Sequence, residues 1–134
     1  MADTMQFDLV SPEKSLASLQ VTEVHIPGTE GDLTAMADHA PLITTIRPGI
    51  LKVLGGGETL EFAVTGGFAE VSAGATSVLA EQAVPASEMT QELLAALVTE
   101  AGEARDSATE SSRDTADKRL NDLIAMGAQL GLSA

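Results

Sequence analysis

Apolar residues recur at every second position through the first two thirds of the chain. Phe7 and Leu9 alternate with Gln6 and Asp8, Val24 and Ile26 flank His25, and Leu60, Phe62 and Val64 alternate with Glu61 and Ala63. A period of two sends one set of side chains inward and leaves the other in water, the pattern of half-buried strands. Turn signals break these stretches at close spacing: Pro12, Pro27-Gly28, Pro48-Gly49, Gly55 to Gly57, Gly66-Gly67 and Gly74. The glycine run between Ile50–Leu54 and Thr59–Thr65 predicts a hairpin. Short strands at regular spacing predict a β-sandwich or barrel.

Beyond Pro85 the period changes. Gly and Pro become sparse while Ala, Glu and Leu dominate. The pattern predicts a helix capped by Ser87, with Met89, Leu93, Leu97 and Ala101 on its apolar face and Leu94 and Val98 beside them. A polar break at residues 107–112 follows. Ser111-Ser112-Arg113-Asp114 then fits the start of a second helix through a capping box, with Leu120, Leu123, Ile124 and Leu130 along one side. Two amphipathic helices with a short connection pack antiparallel. The expected organisation is therefore a β-rich domain at 1–85 and a helical hairpin at 86–134.

Composition narrows the function. The 134 residues carry a formal net charge of -13. Acidic residues outnumber basic ones in both parts, 11 to 3 before residue 86 and 9 to 4 after it. Such a chain is repelled by phosphate backbones and anionic headgroups, which argues against nucleic acid and direct membrane insertion and favours a basic protein partner. With no cysteine, disulfides and thiolate chemistry are excluded. Met1-Ala2-Asp3-Thr4 has no signal-peptide character, and the apolar runs are too short to span a bilayer. The basic residues Arg105, Arg113, Lys118 and Arg119 gather near the hairpin bend, where neighbouring Asp and Glu offer them partners.

Candidate chemistry is thin. The chain has no P-loop, no dinucleotide fingerprint and no nucleophile elbow. Glu30, Asp32, Asp38 and His39 fall within ten residues and form the strongest candidate for a metal or acid–base site. A single histidine makes a poor zinc site, however, and His39 can equally bond to a backbone carbonyl. Gly66-Gly67 suits a bulge or a tight turn better than a ligand cradle.

Five segments in order carry a resemblance: FDLVSPEKSL (7–16), HIPGTEGDL (25–33), HAPLITTIRPGILKV (39–53), VTGGFAEV (64–71) and SVLAEQAV (77–84). Together they resemble the epsilon subunit of bacterial F-type ATP synthase, equivalent to the mitochondrial delta subunit. The resemblance implies a β-sandwich of ten strands followed by two antiparallel helices. It implies a non-catalytic rotor subunit without cofactors, linking the gamma subunit to the ring of c subunits on the cytoplasmic face of the bacterial inner membrane. It also implies that the hairpin can reach the alpha and beta subunits. By likeness, Glu30, Gly31 and Asp32, together with Asp38, His39, Ala40 and Pro41, face the c-ring. A free-standing β-sandwich ligand-binding or adaptor module is the alternative reading.

The chain departs from the resemblance in the hairpin. ATP-binding members carry an apolar residue, Asp, two variable residues, Arg and Ala near the start of the first helix. Met89, Thr90, Leu93 and Leu94 stand at those positions, so only the first is kept. Leu93 cannot offer the charged fork that Arg presents to phosphate, and weak or absent ATP binding is expected. In the second helix Arg113, Lys118 and Arg119 are offset by Asp114, Asp117 and Asp122, which predicts weak inhibition of ATP hydrolysis. Read as interior helix residues, Gly127 and Gly131 would each cost about 1 kcal/mol, leaving a loosely held appendage.

Overall fold

A computed structural model describes residues 4–55 and 57–132. Ten strands come first: β1 (Met5–Val10), β2 (Ser15–Val21), β3 (Glu23–Gly28), β4 (Gly31–Met36), β5 (Leu42–Ile46), β6 (Gly49–Gly55), β7 (Glu58–Val64), β8 (Gly67–Val71), β9 (Ala75–Ala80) and β10 (Ala83–Pro85). A single 3-10 turn, Ala86–Glu88, leads into α1 (Gln91–Asp106) and α2 (Arg113–Gln129). The strands hydrogen-bond in the order β10-β7-β6-β3-β5-β8-β9-β1-β2, with β4 attached to β3. This continuous sheet folds over on itself, so that Gly55 at the end of β6 meets the backbone of Gln20 and Val21 in β2. Neighbours along the path pair antiparallel except β1 with β9, which run parallel.

The alternation read from the sequence decides which side chains enter the sandwich. Phe7 and Leu9 are fully buried, as are Val24, Ile26, Leu51, Val53 and Val64, and together they form the first core. Gly55 pairs with Glu58, as the expected hairpin requires, and Gly57 takes φ +79. Ala63 departs from the expectation. Placed with Glu61 on the water side by its period, it is 1% exposed, because a second core covers that face. Ala63, Ile50 and Val84 from the outer side of the β10-β7-β6 layer pack there with Met89, Leu94, Leu97, Ala101, Leu123 and Met126 of the hairpin.

Both helix starts differ from the sequence reading. Ser87 lies in the 3-10 turn; Thr90 caps α1, its hydroxyl accepting the Leu93 amide at 3.0 Å. No capping box forms at α2, because the Ser111 and Ser112 hydroxyls turn back to Thr109 instead. The buried faces rotate accordingly. Leu94, Leu97 and Ala101 lead on α1 and Leu123, Met126 and Gly127 on α2, while Leu93 and Ile124 stay exposed.

The two glycines of the second helix also have other roles. A Cβ on Gly127 would lie 2.4 Å from Leu94 Cδ2, so the missing side chain lets the two helices close on each other. Gly131 is outside the helix at φ +77. The Leu132 amide bonds to the Gly127 carbonyl at 2.8 Å and the Gly131 amide to that of Ala128 at 3.1 Å, a Schellman ending that needs left-handed backbone at Gly131. Far from loosening the hairpin, both glycines close it.

The two readings of Gly131 predict opposite signs. In a helix interior, Gly131→Ala would stabilise by about 1 kcal/mol. At a left-handed position it destabilises by about 1 kcal/mol, although among the described residues nothing lies within 4 Å of the added methyl. Urea unfolding of the full chain is expected to show the loss.

Candidate interaction surfaces

The β3–β4 ladder separates the two segments that sequence likeness assigned to one contact. Gly28 pairs with Gly31 at one end and Glu23 with Met36 at the other. Glu30 and Asp32 therefore sit at one end of β4, and Asp38 and His39 at the opposite end. Six strand residues span about 20 Å, so Asp32 cannot share an ion with Asp38 and His39. Among the described residues no group of three or more His, Asp or Glu is arranged to hold a metal.

The first segment is polar and pinned. Thr29 donates its amide and hydroxyl to the Thr45 carbonyl, each at 3.0 Å. Arg47 pairs with Asp32 and reaches the Gly28 carbonyl at 3.3 Å. Asp32 remains 76% exposed, so this pair contributes little to stability and serves mainly to orient the turn. The second segment has a different character. Asp38 takes φ 68, its amide donates to the Ala73 carbonyl at 2.8 Å, and His39 Nδ1 lies 2.6 Å from the Ala40 carbonyl oxygen. Exposed apolar side chains of Met36, Leu42 and Ile43 flank this loop, and Ala40 and Pro41 are exposed within it.

Met89, Thr90 and Leu94, at the start of the hairpin, have structural tasks. Thr90 caps α1, Met89 enters the second core, and Leu94 is fully buried against Gly127. Leu93 lines a cleft of about 370 Å³ between the β1–β2 turn, β10 and α1. Its charged lining is Lys14 against Glu13, Glu81 and Glu88, an arrangement that repels polyphosphate. Three of the hairpin's four basic residues pair with acidic ones: Arg105 with Asp106 and Asp117, Lys118 with Asp122, and Arg119 with Glu81.

An exposed apolar row on the sandwich carries no signal in the sequence because each of its residues looks ordinary alone. The outer face of β5, β8, β9 and β1 aligns Thr45 with Phe68, Phe68 with Leu79, and Leu79 with Val10 across four strands. Phe68 and Leu79 are each 47% exposed and Ile43 is 71% exposed. Only the strand order, which places distant segments side by side, reveals the patch. The hairpin packs on the opposite layer and reaches only the edge of this patch, through Arg119 beside Gly66 and Glu81.

The fold is thus a β-sandwich with one layer capped by its own C-terminal helices and exposed apolar side chains on the other. Residues 4–86 match the family described as ATP synthase, Delta/Epsilon chain, beta-sandwich domain. The chain is 56% identical over 131 residues to the ATP synthase epsilon chain of Fuscovulum blasticum, covering 98% of this chain and 99% of that one. Its fold is similar to a chain in the mitochondrial ATP synthase of Euglena gracilis, an OSCP/F1/c-ring structure, with TM-score 0.74 and 27% identity over 95% of this chain and 81% of that one. A chain in the central stalk/c-ring structure of the Tetrahymena thermophila mitochondrial ATP synthase shares the fold at TM-score 0.70 and 20% identity, covering 95% and 96%. This chain belongs to the ATP synthase delta/epsilon family, as an epsilon-type, non-catalytic subunit.

Thr90 offers a direct check on its structural role. Thr90→Ala is expected to cost about 1 kcal/mol, the usual loss for a removed N-cap, measurable by urea unfolding with helix content followed by circular dichroism.

Proposed function

We propose that this subunit works in the rotor of an F-type ATP synthase, joining the gamma subunit to the c-ring and coupling proton flow to ATP synthesis. It sits peripherally at the cytoplasmic face of the bacterial inner membrane; among the described residues no helix is long and apolar enough to cross one. The observation that carries this reading is the open layer bearing Phe68, Leu79, Val10 and Ile43. Exposed apolar side chains in contiguous rows mark protein contact sites, and gamma is the partner the family resemblance supplies.

Contrasting character divides the two ends of β4 between partners. The polar turn of Glu30, Gly31 and Asp32 suits a wet contact with the c-ring. Asp38, His39, Ala40 and Pro41, collared by Met36, Leu42 and Ile43, suit the drier edge of the gamma contact. Residues 1–85 carry docking, and residues 86–134 form a weakly inhibitory hairpin that reaches the alpha and beta subunits only on leaving the sandwich. The acidic cleft beside Leu93 supports weak or absent ATP binding.

Phe68→Glu is expected to weaken co-purification with gamma at least tenfold while leaving the fold intact, because the side chain is half exposed already. Unchanged association would refute the docking face. Calorimetry of the isolated subunit is expected to show no ATP binding below millimolar concentration; a micromolar affinity would contradict the reading of Met89, Thr90, Leu93 and Leu94.

A further inference from the structure

Gly67 is required by the close approach of β9, where a Cβ would come 2.1 Å from the Leu79 carbonyl oxygen, but Gly66 in the same β7–β8 turn has a task outside the sheet. Both glycines have positive φ, +146 and +130, a conformation that ordinary side chains rarely adopt. The turn is braced by two backbone bonds to the β9–β10 connection: Thr65 N to the Gln82 carbonyl at 3.1 Å, and Glu81 N to the Gly66 carbonyl at 2.9 Å. The Thr65 carbonyl is thereby left facing the hairpin. Arg119, in the middle of α2, donates to it through Nη1 at 2.8 Å, and the same nitrogen lies 3.5 Å from Glu81 Oε2. A Cβ on Gly66 would come within 3.1 Å of Glu81 Oε2 and 3.5 Å of Arg119 Nη1, so the glycine keeps this corner open for the guanidinium.

We infer that Arg119 is a latch that fastens the hairpin to the sandwich, with the Gly66-Gly67 turn and Glu81 as its receptor. The apolar second core sets how closely the two parts pack, but it is tolerant of sliding because hydrophobic contact is non-directional. A charged hydrogen bond to a fixed carbonyl is directional and specifies one seating of α2. The guanidinium also answers a carbonyl and a carboxylate at once, which an ammonium on a flexible stem does less well. Arg119 is thus a positioning residue. Its loss leaves each core intact and frees the hairpin to leave the β6 and β7 surface. The inference concerns the free subunit and stands or falls separately from any partner.

Hydrogen exchange on the full-length free chain, resolved by peptide, tests the latch. Arg119→Ala is expected to speed exchange in α2 by about tenfold, the factor associated with one charge-assisted hydrogen bond, while β1 and β9 exchange as before. Arg119→Lys is expected to recover part of the protection. Arg113→Ala, six residues earlier on the same helix, is expected to leave exchange unchanged. Wild-type exchange of α2 in Arg119→Ala would overturn the latch. So would equal acceleration in β1 and β9, which would mark a loss of global stability, or acceleration by Arg113→Ala to the same degree.

Discussion

The architecture depends on a strand buried from both sides. In β7, Phe62 and Val64 face the sandwich core while Ala63 between them faces the hairpin. Ala63 is small enough for Leu94, Leu97, Leu123 and Met126 to gather over it, and Gly127 is small enough to let Leu94 fill the space between the helices. Burying a Leu or Met side chain contributes about 1.5–3 kcal/mol relative to leaving it exposed. Several such residues share this second core, so burial outweighs the surface ion pairs of the hairpin, which contribute about 0–1 kcal/mol each. The consequence is asymmetry: one layer of the sandwich is covered from within the chain, and the other is free for something outside it.

That asymmetry connects packing with function. A face that a sandwich's own helices leave alone is open to a partner from outside the chain. The uncovered rows of Phe68, Leu79 and Val10 provide one. The hairpin, meanwhile, is held by contacts of two kinds: apolar burial supplies affinity, and the directional bond from Arg119 to the Thr65 carbonyl supplies registration. Met89, Thr90 and Leu94 all serve this packing, with Thr90 as a cap and Met89 and Leu94 as core.

Much of this was legible in the residues. The alternation around Phe7, Val24 and Phe62 identified strands and their inner faces, because a half-buried strand leaves a period of two in the chain. The switch at Pro85 to a helical period was equally plain. The sequence misled where a local signal competed with tertiary contact. Ala63 read as a water-side residue because periodicity describes one strand face and knows nothing of a helix packed on the other. Ser87 looked like a cap, yet the chain spends Ala86–Glu88 in a 3-10 turn before Thr90 begins the helix. Gly131 looked like a flaw in a helix and is its stop signal. Periodicity alone did not show that Glu30 and Asp38 lie at opposite ends of β4. The Phe68–Leu79–Val10 row had no sequence signal at all, since it is assembled from three strands brought together by topology.

The hairpin makes one face of the sandwich internal, and we propose the opposite face for docking. Covalent footprinting of the subunit, free and bound to gamma, tests it most directly. Phe68, Leu79 and Ile43 should label readily in the free subunit and become protected in the complex, while Met89 and Met126 stay protected in both. Ready labelling of Met89 and Met126 in the free subunit, or undiminished labelling of Phe68 and Leu79 in the complex, would contradict it.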